Sequence, residues 1–423
     1  MDNRFANMFQ ITEDRAIALL TKPLDELEEK SERYVAASQL SNFPSERSIK
    51  ALIATIEDSD PELYHQIARR KAIESLGKIK AVSALPIIAG CLEESDPYTV
   101  ENAVWAIKDI GTEDPEILEA IAKLLEKDKQ SYRLIIQVLA KFDYTNALVR
   151  IKAFTEHEDE TIASAAISTV AKFTDDYSQM DRVVELLQHS SVNARRLSIQ
   201  DLVDVNYYSA IPDIAKCPVS VAFRLRGIRL LATAGITEGK LTFAEVQPYL
   251  ERVIQDRPQD LEMVHEYDQK PALEFLIREL YQTDFGRCYL ACQTLLEDYS
   301  EEAPAAILAT YKEEAYRDYG AHYHVIKLLG WLQAESGKEI MLKNLNHPQP
   351  QFQKSRAASA IALGNLGVTS AIPELQKTVK SKIFDLKYAS ILALRQLGAA
   401  IPEDAISAED DLLFQALAKT LDS

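Results

Sequence analysis

Four cysteines in 423 residues, Cys91, Cys217, Cys288 and Cys292, are too few and too scattered for a disulfide framework, and they suit a reducing cytosol. Glycine is scarce too, at 13 residues. No P-loop, no G-x-G-x-x-G after a strand, no H-E-x-x-H and no G-x-S-x-G occurs, so the common nucleotide and hydrolase chemistries have no motif behind them. No run of about 18 apolar residues is present, so a membrane span is not expected. The opening MDNRFANMFQITEDRA is charged and has no apolar h-region, which argues against a secretory signal. Positive charge is in deficit, with Lys+Arg 47 against Asp+Glu 65 and a net charge of −18. A general nucleic-acid surface needs clustered Lys and Arg, so nucleic acid is not an expected partner. A local basic groove in such a chain would suit a small acidic ligand.

Hydrophobic residues make up 47% of the chain, ample for a core. Long windows carry the i, i+3, i+4, i+7 apolar pattern, and strand-like alternation is absent, which predicts an all-α fold. Turns such as DSDPE (58–62), ESDPY (94–98) and NHPQP (346–350) put a polar residue before proline, a helix-start signal. YHQIARRKAIESLGKIKAVSALPIIAGCLEESD (64–96) and FQKSRAASAIALGNLGVTSAIPELQKTVKSK (352–382) share an order: basic residue, small residues, Leu-Gly, turn, then Ala-(Leu/Ile)-Pro opening a second helix. Anchoring on Leu-Gly sets Arg69 on Arg356 and places Lys387 before Leu394. Weaker copies put Arg195 and Arg224 at that site. The period is a little over thirty residues. One helix pair cannot bury its own apolar stripe, so neighbours must stack.

This pattern resembles HEAT repeats, in the short form found in phycobilisome-linked lyases. The resemblance implies a right-handed α-solenoid of stacked helix pairs with a concave groove. The helices carrying Arg69, Glu101, His322 and Arg356 would line it. The expected organisation is a helical cap (1–40), HEAT-like repeats (41–240), an irregular insertion or joint (241–300), and C-terminal repeats with a cap (301–423).

One repeat departs from the rest. YRDYGAHYHVIKLLGW (316–331) gathers Tyr316, Asp318, Tyr319, His322, Tyr323 and His324. On a helix, Asp318 and His322 are i, i+4 neighbours, as are Tyr319 and Tyr323. His322 takes the place of Arg69 and Arg356, and Tyr323 that of Ala357. An acid, an imidazole and phenols on one wall can exchange protons with a ligand, and Asp beside His would favour the imidazolium; the alternative is a polar surface helix with a capping Asp. A second cluster, PYTVENAVWAI (97–107), sets Tyr98, Glu101, Asn102 and Trp105 together, which suits a flat aromatic ligand with polar edges; equally, Trp105 is core and Asn102 steadies a turn. Third, Arg69, Arg70, Arg195, Arg224, Arg226, Arg356 and Lys387 would point along one groove. Arg pairs two-pronged with carboxylates, although in HEAT repeats this Arg often ties neighbouring repeats through an Asp. Tyr64-His65, followed by Arg69 and Arg70, is a weaker N-terminal counterpart. Cys288 and Cys292 share a helical face but have too few companions for a metal site and are expected to be buried.

The stretches VENAVWAI (100–107) and YHQIARRKAIESLG (64–77), with the repeat register, resemble the E/F-type phycobilin lyases of cyanobacteria. The stretch DYGAHYHVIKLLGWL (318–332) is most similar to single-chain members acting on phycoerythrin, some of them lyase-isomerases. The resemblance covers roughly residues 40–400. It implies a cytosolic enzyme that binds a linear tetrapyrrole, phycoerythrobilin, as substrate and not as cofactor. The enzyme would present ring A to a Cys thiolate of a phycobiliprotein subunit, expected to be phycoerythrin alpha, so that a thioether forms on the ethylidene group. In that picture Asp318 holds pyrrole nitrogens and relays protons. Tyr319, His322, Tyr323 and His324 are candidate acids. Tyr64, Arg69, Tyr98, Glu101, Asn102, Trp105, Arg195, Arg224, Tyr316 and Arg356 are candidate bilin contacts. The N-H-C-Q-G-N motif of the isomerising subunit in heterodimeric relatives is absent, so isomerisation to phycourobilin would need other residues. A protein-binding scaffold and a bilin carrier without transfer activity are the competing readings.

Overall fold

The computed structural model describes residues 11–58 and 60–421. Every regular element among them is helical and none is a strand. The helices that place the residues of interest are α1 (Leu63–Ile79), α2 (Pro97–Ile110), α3 (Val192–Asp204), α4 (Val221–Thr237), α5 (Phe243–Gln255), α6 (Phe285–Asp298), α7 (Tyr319–Trp331), α8 (Gln353–Asn365) and α9 (Phe384–Gln396).

Local sequence sets where these helices begin. Asp96 accepts from the backbone N–H groups of Tyr98 and Thr99, with Pro97 in the first turn of α2. Asp284 caps α6 through Gly286 N, and Asp318 caps α7 through Gly320 N and Ala321 N. The Leu-Gly signature has a packing reason. A Cβ on Gly77 would lie 2.8 Å from Ala106 Cα, one on Gly330 2.5 Å from Ala362 Cβ, and one on Gly364 3.0 Å from Ala393 Cα. Helix backbones of successive repeats touch there, so only glycine fits.

The chain divides into two compact units, one up to Gln179 and one from Met180 onward. The break falls inside the 41–240 stretch expected to be a single run of repeats. In the first unit α1 packs on α2. In the second, α6, α7, α8 and α9 succeed one another, and α5 packs against α8 and α9. The 241–300 segment, expected as an insertion or joint, therefore lies wholly within the second unit. Its α5 starts on a capping box, with Glu245 accepting from Thr242 N at 2.7 Å. It ends at Asp256, whose backbone is left-handed (φ 51°).

Helix α7 has no solvent face over most of its length: Gly320 through Gly330 are all buried. Val325, Ile326, Leu328 and Leu329 are each fully buried and stabilise by about 1.5–3 kcal/mol apiece. The polar residues of this helix are therefore inside the protein as well.

Candidate functional site

Asp318 sits just ahead of α7. Its Oδ1 accepts from Gly320 N at 2.9 Å and Ala321 N at 2.8 Å. Its backbone carbonyl takes His322 N. The expected Asp318–His322 side-chain pairing is thus corrected, because the carboxylate is turned onto the helix end. Oδ2 has no hydrogen-bond partner among the described residues.

His322 lies against Phe352 at 4.5 Å, Tyr311 at 5.5 Å and His347 at 6.0 Å between ring centres. It is fully buried, and neither ring nitrogen has a protein partner. Burial first, then the neighbouring His347 and Lys354, push its pKa down to about 4. The expected imidazolium is replaced by a neutral ring in an aromatic setting. The register explains the exchange: His347 stands as far beyond His322 as Glu94 stands beyond Arg69, so two histidines replace an ion pair. The folded pKa lies below the unfolded value near 6.5, so the unfolded chain takes up the proton first. Stability is whole above pH 6.5 and falls as pH drops toward 4. Between pH 7 and pH 5 the loss through His322 is on the order of 2 kcal/mol. The melting temperature of the wild type should therefore drop about 5 °C further over that interval than that of His322→Phe. Parallel melting curves of the two proteins across pH would count against this account.

Tyr323 and His324 are also interior. The Tyr323 hydroxyl donates to Asp256 Oδ2, and Tyr289 donates to the same carboxylate at 2.8 Å. Arg224 donates to Asp256 Oδ1, to Val219 O at 3.1 Å and to Ala215 O at 3.2 Å. Burial pushes both phenols well above their ordinary range, and the Asp256 charge adds to it. Burial opposes the Arg224 charge, but the Asp256 carboxylate outweighs it and the pKa is raised. Lys327, on α7, donates to Gln255 O, and burial brings its amine down to about 8. The ring of His324 packs on Phe285 at 4.6 Å and Tyr289 at 5.4 Å, its Nδ1 stands 3.8 Å from Cys292 Sγ, and burial holds it neutral. Tyr323, His322 and His324 were expected on the groove wall. Here they belong to the packing of α7 against its neighbours.

The arginine series follows the inter-repeat pattern. Arg69 donates to Ile56 O and to both oxygens of Glu94, the latter at 2.6 Å through Nη1. Arg70 bonds Asp96 at 2.9 Å. Arg195 is fully buried on Asp284 and the carbonyls of His189 and Ser190. Lys387 pairs with Asp410 at 2.6 Å. Arg356 donates to Leu345 O at 3.0 Å and stays half-buried. For Arg195 and Arg224 the expectation of a groove-facing cation is corrected, since their guanidinium groups are enclosed and satisfied by the protein.

The remaining candidates are accessible. Tyr319 is 59% exposed and Tyr316 48% exposed. In the first unit Tyr98 and Trp105 are exposed. Arg70 lies 5.0 Å over the Tyr98 ring and Lys108 4.1 Å over Trp105. Trp105 is therefore a surface residue and not core. Asn102 donates to Tyr98 O at 2.7 Å, and Glu101 accepts from Ser131 Oγ at 2.8 Å. Tyr64 is half-buried beside His65, which bonds Asp58 at 2.6 Å. Cys288 and Cys292 are buried, as expected.

Two groups escaped the sequence reading. Asp256 lies at the end of a non-repeat helix, where no register points to it. Lys354, two residues before Arg356, was legible only as one more lysine. Its Nζ stands 4.1 Å from the Phe285 ring centre, 4.8 Å from Tyr319 and 5.1 Å from Tyr323.

Comparison with known proteins gives the family. A family model described as HEAT repeats matches residues 17–108 and 63–140, and one described as PBS lyase HEAT-like repeat matches 355–381. "Uncharacterized phycocyanin operon protein Y" of Pseudanabaena tenuis is 54% identical, over 98% of this chain and 99% of that protein. Bilin biosynthesis protein CpeY of Synechococcus sp. (strain WH8020) is 31% identical, over 93% of this chain and 95% of its own. A solved complex of CpcE and CpcF of phycocyanin lyase from Nostoc sp. PCC7120 is 26% identical with a TM-score of 0.47, covering 58% of this chain and 95% of that one. Among the described residues no helix is long and apolar enough to cross a membrane. With repeats, register and near full-length similarity in agreement, the chain belongs to the E/F-type phycobilin lyase family as a CpeY-like member.

Proposed function

We propose that this protein is a bilin lyase that joins a linear tetrapyrrole, phycoerythrobilin, to a cysteine of a phycoerythrin subunit in the cyanobacterial cytosol. The observation that carries the reading is the similarity to bilin biosynthesis protein CpeY over 93% of the chain. The site supports it through an accessible acid–phenol edge, where Asp318 keeps Oδ2 open beside the exposed Tyr319 and Tyr316.

The reaction is an addition. The acceptor thiolate forms a C–S bond to the ethylidene carbon of ring A, the double-bond electrons move into the ring, and a proton arrives on the ring carbon. No group leaves. The bilin is substrate, and no resident cofactor enters the scheme. Asp318 Oδ2 accepts from pyrrole N–H groups and fixes the tetrapyrrole. Tyr319 delivers the proton. Holding the reactants in register supplies much of the rate, because the addition is intrinsically feasible.

Tyr319→Phe should leave the fold intact, since the side chain is exposed, and slow attachment about 100-fold or more. Co-expression with phycoerythrobilin and the acceptor subunit, read by covalent pigment yield, checks this. Undiminished yield removes Tyr319 from the chemistry. Wild-type protein that takes up bilin without transferring it would be a carrier, and one that never becomes coloured would be a scaffold. A blue-shifted adduct would add isomerisation to phycourobilin.

A further inference from the structure

The arginines that could meet an acidic ligand are largely committed. Arg69, Arg195 and Arg224 each hold an acid of their own chain, and Arg356 holds a backbone carbonyl. Lys354 is different. Among the described residues it has no carboxylate and no carbonyl within hydrogen-bonding reach. Its ammonium rests on the faces of Phe285, Tyr319 and Tyr323. Aromatic faces attract a cation but do not accept its N–H bonds as an oxygen does.

A half-buried ammonium without an acceptor is costly, and an arriving carboxylate removes that cost. The Tyr319 side of the amine is the open one. Gly320 is the counterpart of Lys354 one repeat earlier, and a Cβ there would meet only Asp318 Oδ1 at 3.3 Å. Tyr319 is exposed on the same side. The charge of Arg196 also acts on Lys354, so positive potential gathers at this edge.

We infer that Lys354 is the anchor for a ligand carboxylate, and, resting on the bilin reading, that this carboxylate is a tetrapyrrole propionate. The exposed Tyr319 ring beside the amine would lie against the pyrrole system, and the anchor would bring the tetrapyrrole alongside Asp318 Oδ2. Burial first, and then Arg196, bring the Lys354 amine down to about 8, against the pull of Cys288, Asp256 and Asp318. Since only the ammonium holds a carboxylate strongly, the anchoring fades as pH rises past 8.

The test compares phycoerythrobilin with its dimethyl ester by absorbance titration. Wild-type protein should bind the free acid about tenfold more tightly than the ester, as a charge-assisted contact implies. That preference should shrink from pH 7 to pH 9. Lys354→Met should lose the preference while binding the ester as well as the wild type does, which also reports that it is folded. Lys354→Arg should keep most of it. If Lys354→Met binds neither compound, the wild type decides: bound acid, but not ester, should shield Lys354 from reductive methylation. Equal shielding, an unchanged preference in Lys354→Met, or no preference in the wild type overturns the anchor and leaves the lyase reading standing. A wild type that binds neither compound overturns both.

Discussion

Asp256→Asn is expected to cost the second unit about 3–5 kcal/mol, because it leaves the Arg224 guanidinium buried without its counter-charge. Arg224 and Asp256 are both essentially inaccessible to solvent, and their ion pair is completed by donation from Tyr289 and Tyr323. Asparagine is the informative replacement. It tolerates the left-handed backbone at this position (φ 51°), so backbone strain does not enter the measurement. Its single amide oxygen still accepts at one of the two carboxylate positions, so the loss reports the charge together with one acceptor. Chemical denaturation of Asp256→Asn, Arg224→Met and the double variant would resolve it. The double variant should be less destabilised than the sum of the two single ones, since it removes both charges together. A single-variant loss under about 1 kcal/mol would falsify the view that this pair is a principal tie of the second unit.

Gly330→Ala should destabilise by about 2–3 kcal/mol, against the usual benefit of replacing a helical glycine. The new methyl would sit 2.5 Å from Ala362 Cβ and 2.9 Å from Ala362 Cα, so one helix backbone has to move. Gly90→Ala is the control. It ends a helix (Leu85–Gly90), and a Cβ there meets nothing within 4 Å. That change should be neutral or stabilising by up to about 1 kcal/mol. Thermal melts of both variants separate close packing from glycine's general cost. Equal responses at the two positions would show that the α7–α8 approach is looser than drawn.

Much of the scaffold was legible because it repeats. The Leu-Gly register located the helix-to-helix approaches at Gly77, Gly330 and Gly364, and the basic residue seven or eight positions earlier located ties such as Arg69–Glu94 and Lys387–Asp410. The site was less legible, for a physical reason. Helical spacing tells which side chains share a face but not what covers that face. His322, Tyr323 and His324 share a helix that neighbouring helices enclose, so polarity there marks internal contacts and not a wall open to ligand. Asp318 was readable as an acid, yet its capping role depends on where the helix starts. Asp256 was beyond reach, since its partners come from three other helices at sequence separations of 32 to 67 residues.

Those separations bear on how each unit comes apart. In the first unit the ties Arg69–Glu94, Arg70–Asp96 and Arg150–Glu119 bridge about one repeat each, at separations of 25, 26 and 31 residues. Such an array can fray from an end, one layer at a time, because each layer answers only to its neighbours. The second unit is laced differently. Arg195–Asp284 spans 89 residues and Arg229–Asp411 spans 182. Its terminal layers are tied back to its early ones, so stepwise peeling from the end is opposed. Its slowly exchanging amides should disappear together, while those of the first unit are lost in graded order.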